Sequence, residues 1–227
     1  MKRDIFLKAV HKGLIVSCQA LKGEPLYGSH IMARMAIAAE SGGAKAIRCN
    51  SVSDLKAIKK AVNLPLIGLI KRQYKGYDPY ITPTIQEVDQ LVDAGADVIA
   101  VDSTNRKHPH DLTAVEFIDQ IKTKYDIPIL ADISVLQEGI AAEQAGADYV
   151  STTMSGYTPY SPNIQEPDFE LMQALPKVLR IPVFAEGRIF APKQAKRCLD
   201  NGAYAVIIGA AITRPEVITR RFVENMK

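Results

Sequence analysis

Short apolar runs return along this 227-residue chain at near-regular spacing, and they open in two alternating ways. Three carry a proline as their second residue, at 64–70, 127–133 and 181–187. Four open on Gly-Ala, at 43–48, 95–102, 146–153 and 202–209, and a further run at 13–18 stands ahead of them all. Each run is nearly continuous in apolar character, as expected of a strand covered on both faces. Between them lie helical patterns at 85–94, 114–125, 135–145, 169–179 and 192–201, several closed by a glycine (Gly95, Gly146, Gly202) as a helix C-terminus prefers. A proline ahead of a strand also stops the helix before it.

Eight such strands alternating with helices, without a break in composition, predict one α/β domain over residues 1–227: a parallel (β/α)8 barrel. The competing architecture, an open doubly wound sheet, usually carries a glycine-rich first turn. Neither GxGxxG nor GxxxxGK[ST] occurs in the chain. Hydrophobic residues make up 47% and charged residues 23%, enough for a soluble protein with a full core. The net charge of +3, with its basic residues dispersed, argues against a nucleic-acid partner and does not repel a phosphorylated one. The first ten residues carry Lys2, Arg3, Asp4 and Lys8, and no stretch is long and apolar enough for a membrane. Cys18, Cys49 and Cys198 have no paired spacing and read as packed free thiols. A cytoplasmic location without a membrane partner follows as an expectation.

Strand side chains alternate faces with period two. Counting from each opening, one parity gathers Ile67, Leu69 and Lys71, then Leu130, Asp132 and Ser134, then Phe184, Glu186 and Arg188. On the Gly-Ala strands the same parity gives Arg48 and Asn50, Ala100 and Asp102, Ser151 and Thr153, Ile207 and Gly209. Polar residues therefore collect at C-terminal strand ends. If that parity faces inward, Arg48, Lys71, Asp102, Asp132, Thr153 and Glu186 converge at the face where barrel enzymes keep their chemistry.

Several residues admit two readings. Lys71 is either a lysine snorkelling to solvent or a base or Schiff-base nucleophile. Asp132 is either a cap for the following helix or a site carboxylate. Glu186 is followed by Gly187-Arg188, so it has no helix to cap. Gly187 and the run from Gly209 to Pro215 fit the phosphate-holding loops after strands seven and eight of a barrel. There Arg214 is either a phosphate contact or a solvated surface arginine. His108 and His110 flank Pro109 but lack a carboxylate at ligand spacing, so they read as a polar loop. Asp102 and Asp132 without inward histidines make a metal unexpected.

In order along the chain, Gly-Leu-Ile-Val-Ser-Cys-Gln-Ala at 13–20, Ile-Arg at 47–48, Pro-Leu-Ile-Gly-Leu-Ile-Lys-Arg at 65–72, Val-Asp at 101–102, Ala-Asp-Ile at 131–133, Thr-Thr-Met-Ser-Gly-Tyr-Thr at 152–158, Phe-Ala-Glu-Gly at 184–187 and Ala-Ile-Thr-Arg-Pro at 211–215 together resemble the N-acetylmannosamine-6-phosphate 2-epimerases of bacterial sialic acid breakdown. The resemblance spans essentially the whole length. It implies a C2 epimerase without cofactor or metal, acting on a sugar phosphate, and allows for a homodimer. It puts the catalytic lysine on Lys71, the active-site glutamate on Glu186 and the aspartate on Asp132. It implies sugar contacts from Gln19 and Arg48, and the parity of the strand ends adds Thr153 to the substrate-binding residues. Phosphate contacts fall on Arg214 and the backbone of Gly187, Arg188, Gly209 and Ala210. Two departures stand out: Ala210 replaces a second glycine, and His108 stands where the family often has arginine. The rival functions are a Schiff-base lysine aldolase on the same barrel and a non-catalytic sugar-phosphate sensor.

Overall fold

The structure, a computed structural model, describes residues 3–226. Lys2 of the charged N-terminal segment, and both ends of the 1–227 span, lie outside the described residues. Eight parallel strands close in chain order: β1 (Leu14–Cys18), β2 (Ala46–Asn50), β3 (Leu66–Leu69), β4 (Val98–Asp102), β5 (Ile129–Asp132), β6 (Tyr149–Ser151), β7 (Val183–Glu186) and β8 (Ala205–Ile208). β8 pairs with β1 through Leu14↔Val206 and Ile15↔Ile207, so the sheet has no edge. The single-domain (β/α)8 barrel is the fold, and the open sheet is excluded.

Helix α1 (Arg3–Val10) precedes β1 and closes the N-terminal mouth. Its Phe6 is buried against the rings of Tyr149 and Phe184, at centroid distances of 5.4 and 6.2 Å. The outer layer continues with α2 (Ser29–Ser41), α3 (Val52–Ala61), α4 (Ile85–Ala94), α5 (Ala114–Lys124), α6 (Leu136–Gln144), α7 (Phe169–Val178) and α8 (Pro192–Asp200). Four of the five helices expected from the sequence end a residue early, and α6 also begins one late. The difference lies in the caps: Tyr125 and Leu179 already have extended backbone. Gly95 ends α4 at φ +84°, the left-handed conformation that glycine adopts without a Cβ penalty. At the start of α5, the Glu116 N–H donates to Thr113 Oγ1 and the Thr113 N–H donates to Glu116 Oε2, at 3.2 and 2.8 Å. This reciprocal cap satisfies two otherwise orphaned donors.

The period of two separates two cores. Ile15, Ala46, Ile67, Ala100, Leu130 and Phe184 fill the barrel interior. Their neighbours, such as Val16, Ile47, Ile99, Ala131 and Val206, pack outward under the helices. The inward set is the parity that carries the polar strand ends. Cys18, Cys49 and Cys198 are buried and unpaired. Burial pushes the Cys18 and Cys198 thiols up to about 12 and about 11, and it pushes Cys49 up as well.

After β8 the chain makes a short turn, α9 (Ala210–Thr213), and a last helix, α10 (Pro215–Asn225). No residue of α10 is buried, and Phe222 is 67% exposed. Outside β1 and β8 an apolar groove of about 440 Å³ runs past Leu14, Leu199, Val206, Ile208 and Ile212. Among the described residues, no helix is long and apolar enough to cross a membrane.

Candidate active site at the C-terminal mouth

At the C-terminal ends of the strands lies a cavity of about 380 Å³. Its lining includes Gln19, Arg48, Lys71, Thr153 and Glu186, together with Gly187, Arg188, Gly209, Ala210 and Arg214. Ten of the eleven candidate residues thus share one cavity. The eleventh, Asp132, is fully buried beneath it and does not line it.

The centre is Arg48, only 1% exposed although it carries a full charge. Its Nη2 donates to Asp132 Oδ2 at 2.5 Å and its Nη1 to Asp132 Oδ1 at 3.2 Å. Nη1 also pairs with Glu186 Oε2 and donates to Thr153 Oγ1 at 3.1 Å. The Thr153 hydroxyl sits 2.6 Å from Asp132 Oδ1 and 3.0 Å from Glu186 Oε2. A forked guanidinium matches a carboxylate in this two-bonded manner where an ammonium cannot. The Arg48 Nε atom has no partner among the described residues. Burial pushes the Asp132 carboxyl up to about 6 against the pull of Arg48, and Glu186 nearby adds to the rise.

Lys71 follows β3, where its N–H donates to Asn50 Oδ1 at 2.8 Å and its backbone bridges Ile81. No group among the described residues hydrogen-bonds its ammonium. Burial lowers its pKa to about 8, assisted by Arg48 and Arg214 and opposed by Glu186 and Asp132. The irregular segment after Lys71 is held by Glu87 of α4, which accepts from Arg72 Nη1 at 2.6 Å and from the Tyr74 hydroxyl at 3.0 Å.

The phosphate-loop candidates line the same cavity. None of the N–H groups of Gly187, Arg188, Gly209 and Ala210 donates to a protein acceptor among the described residues. Gly187 has φ +110°. A Cβ at Gly209 would meet Ser17 Cβ at 3.2 Å, so close packing against β1 favours glycine there. Arg214 is neither free nor simply solvated: its side chain is 33% exposed and pairs with Glu24 at 3.0 Å.

Three expectations need correction. Asp102 is inward, but its carboxylate accepts from Thr104 and from Arg106 Nη2, at 2.7 Å each, and faces away from the cavity. Ser134, counted on the inward parity, lies beyond the last strand pair and does not line the cavity. Ser134 bonds Glu138, which gathers the loop ends. His108 is not a polar-loop residue. It is fully buried, with Nδ1 2.9 Å from the Pro83 carbonyl and Nε2 2.8 Å from the Asp102 carbonyl. Outside the run from Gly209 to Pro215, three polar lining residues escaped the sequence reading: Ser17, Tyr80 and Tyr157. Ser17 shares the inward parity with Gln19, so period two offered a signal for it. The two tyrosines come from irregular loops and had none.

If Arg48 depends on Asp132 for its burial, Asp132→Ala leaves a buried charge poorly compensated. Urea unfolding followed by far-UV circular dichroism is expected to show a loss of about 3 kcal/mol. An unchanged midpoint means that Arg48 is held by other contacts.

Comparison with known proteins points to one family. Residues 32–227 match the family model described as "Putative N-acetylmannosamine-6-phosphate epimerase". A Caldanaerobacter subterraneus protein carrying a 2-epimerase name of that kind is 55% identical over 228 residues, covering 100% of this chain and 96% of the relative. A solved structure of the N-acetylmannosamine-6-phosphate 2-epimerase from Clostridium perfringens is 49% identical and superposes with a TM-score of 0.95, covering 99% of this chain and 98% of that one. A thiamine phosphate pyrophosphorylase from Pyrococcus furiosus is 19% identical, with a TM-score of 0.62 and coverage of 96% of this chain and 98% of that one, and shares the fold alone. With a matched model over most of its length and relatives above 50% identity, the chain belongs to the N-acetylmannosamine-6-phosphate epimerase family.

Proposed function

We infer that this chain is an isomerase interconverting N-acetylmannosamine 6-phosphate and N-acetylglucosamine 6-phosphate by inversion at C2. One observation carries the reading beyond family membership. A lysine with a lowered pKa and no hydrogen-bond partner for its side chain among the described residues shares a cavity with a carboxylate held by a buried arginine. In the closed sugar the C2 proton is not acidic. In the open-chain aldehyde it lies next to a carbonyl that accepts the electron pair. Opening the ring moves the C1 hydroxyl proton towards the ring oxygen, and Glu186 is the group for that transfer. Neutral Lys71 then takes the C2 proton as the C2–H bond breaks, the electron pair moves into the C1 carbonyl, and an enolate forms. The same Nζ returns the proton to the opposite face after the intermediate shifts in the site. Arg48 and Thr153 keep Glu186 in place, Gln19 contacts the sugar, and Asp132 acts through Arg48. The backbone N–H groups of Gly187, Arg188, Gly209 and Ala210, with Arg214, anchor the phosphate and fix orientation.

The test is NMR of N-acetylmannosamine 6-phosphate with the protein in heavy water. Formation of the C2 epimer with deuterium at C2 supports the reading, and an unchanged spectrum sinks it. Lys71→Ala is expected to abolish both events while keeping its far-UV spectrum. Glu186→Gln is expected to be slow yet to exchange C2 hydrogen from either epimer; exchange lost from one epimer alone makes Glu186 the second base. A borohydride-trapped substrate adduct on Lys71 would favour the aldolase, and tight binding without turnover the sensor.

The pH dependence follows from the sign of the shift. The acting base is neutral lysine, so kcat/KM should fall about tenfold per pH unit below about 8 and level off above it. A profile flat from pH 6 to 9 removes Lys71 as the base.

Arg214→Ala removes one charge-assisted contact. A loss of roughly 1.5–3 kcal/mol, or about tenfold to hundredfold in kcat/KM, is expected. An unchanged value leaves Arg214 as the partner of Glu24 only.

We place the reaction in amino-sugar (sialic acid) breakdown in the cytoplasm, supported by three unpaired buried thiols. We further propose a homodimer. Helix α10 buries no residue of its own, and an apolar groove lies open beside β1 and β8. Sedimentation equilibrium should give twice the chain mass; a monomer at micromolar concentration rejects it.

A further inference from the structure

Resting on the epimerase reading, we propose that Arg188 is a positioning residue: its guanidinium holds Tyr157 at the cavity mouth and leaves phosphate to the backbone and Arg214.

The backbone sets this up. Gly187 and Arg188 take φ values of +110° and +54° in succession. For a residue with a Cβ the left-handed region is unfavourable, and such strain persists only where surrounding contacts enforce it. The turn brings the Arg188 side chain over the segment that follows β6. There Nη1 donates to the Ser155 carbonyl at 2.7 Å and Nη2 to the Gly156 carbonyl at 3.0 Å. The guanidinium Cζ also lies over the Tyr157 ring, 4.3 Å from its centre. One side chain thus engages three consecutive residues, which suits a planar fork and not an ammonium.

The segment is shaped to receive it. Gly156 has φ +75°, and a Cβ there would lie 2.7 Å from Arg188 Nη2. Tyr157 is 56% exposed, so its own packing is a weak hold on its ring. Yet it lines the same cavity as Lys71 and Glu186. A stacked cation supplies the restraint that packing lacks. The same two strand ends are joined below by Thr152, whose Oγ1 donates to the Glu186 carbonyl and accepts from the Glu186 N–H, at 2.9 and 3.0 Å. The clasp therefore continues a seam between the Thr153 segment and the Glu186 segment.

A wall fixed at the mouth contacts bound sugar equally before and during proton transfer. Its loss raises KM and spares kcat. A phosphate ligand would behave differently, because inorganic phosphate would sense its removal.

The experiment uses the full chain with N-acetylmannosamine 6-phosphate as substrate and inorganic phosphate as competitive inhibitor. Arg188→Ala, Arg188→Lys, Tyr157→Ala and the double variant Arg188→Ala/Tyr157→Ala are compared, with thermal midpoints as the folding control. Each single variant is expected to raise KM about tenfold, with kcat and the phosphate inhibition constant within about twofold. Lysine should not rescue, since it cannot reach two carbonyls and stack. The double variant should be no worse than either single one, because Arg188 acts through Tyr157. Weakened phosphate inhibition in Arg188→Ala, rescue by lysine, or additive losses in the double variant would each overturn the proposal. If Arg188→Ala lowers the thermal midpoint sharply, Tyr157→Ala decides alone: a wild-type KM there rejects it. A wild-type chain without turnover sinks both this and the epimerase reading. Wild-type turnover with unaltered variants sinks the clasp alone.

Discussion

A full positive charge held almost out of reach of water is the constraint on which this site depends. Removing a guanidinium from water is costly unless charge and hydrogen bonds replace the solvent. Arg48 meets that condition with two carboxylates and a hydroxyl drawn from the ends of β5, β6 and β7. One side chain on β2 thereby ties together strands from the opposite half of the barrel. Because the strands are locked in register around a closed sheet, the cluster cannot relax by sliding. Its fixed charges also govern Lys71. The two carboxylates, Glu186 and Asp132, pull Lys71 towards its charged form. Burial, with Arg48 and Arg214 adding to it, outweighs that pull and brings the amine to a pKa of about 8.

The barrel supplies the positions, and the loops supply the walls. Two buried glutamates organise those loops from below. Glu87 holds the segment after Lys71 through Arg72, Tyr74 and Thr84. Glu138 takes the Asn105 N–H and the Tyr160 hydroxyl, binding the loops after β4 and β6. His108 fastens the first of these loops to the segment at Pro83. A mouth built this way is stiff where the carboxylates and lysine sit, and its more exposed rim carries Tyr157 and Arg188. The thiamine phosphate pyrophosphorylase has the same fold at 19% identity, so the barrel by itself does not choose the chemistry. The side chains at the strand ends do.

Much of this was legible in the residues. Alternating openings with proline and Gly-Ala, and helices between, are local patterns that translate directly into strands, helices and their order. Period two then placed Arg48, Lys71, Asp132, Thr153 and Glu186 on one face, because strand geometry leaves a side chain only two directions. Past the last paired residues nothing enforces that rule: Lys71 and Thr153 still follow it, whereas Ser134 turns to Glu138 and the Arg188 guanidinium folds onto the Ser155 and Gly156 carbonyls. His108 shows the same limit from another side: a histidine in a sequence-polar loop became fully buried because two carbonyls from distant segments enclose its ring.

The sequence by itself determined the architecture, the inward parity and the set of residues that could meet at one mouth. Only the tertiary structure decided how those residues divide the work. Asp132 lies under Arg48 and not against the cavity, Asp102 faces Arg106, Arg214 meets Glu24, and Arg188 folds onto Ser155 and Gly156. The physical reason is that a strand fixes the face of a residue through its own backbone. The partner that a charged side chain finds depends on which other strand or loop end lies within about 3 Å of it, and closure of the barrel alone sets that distance.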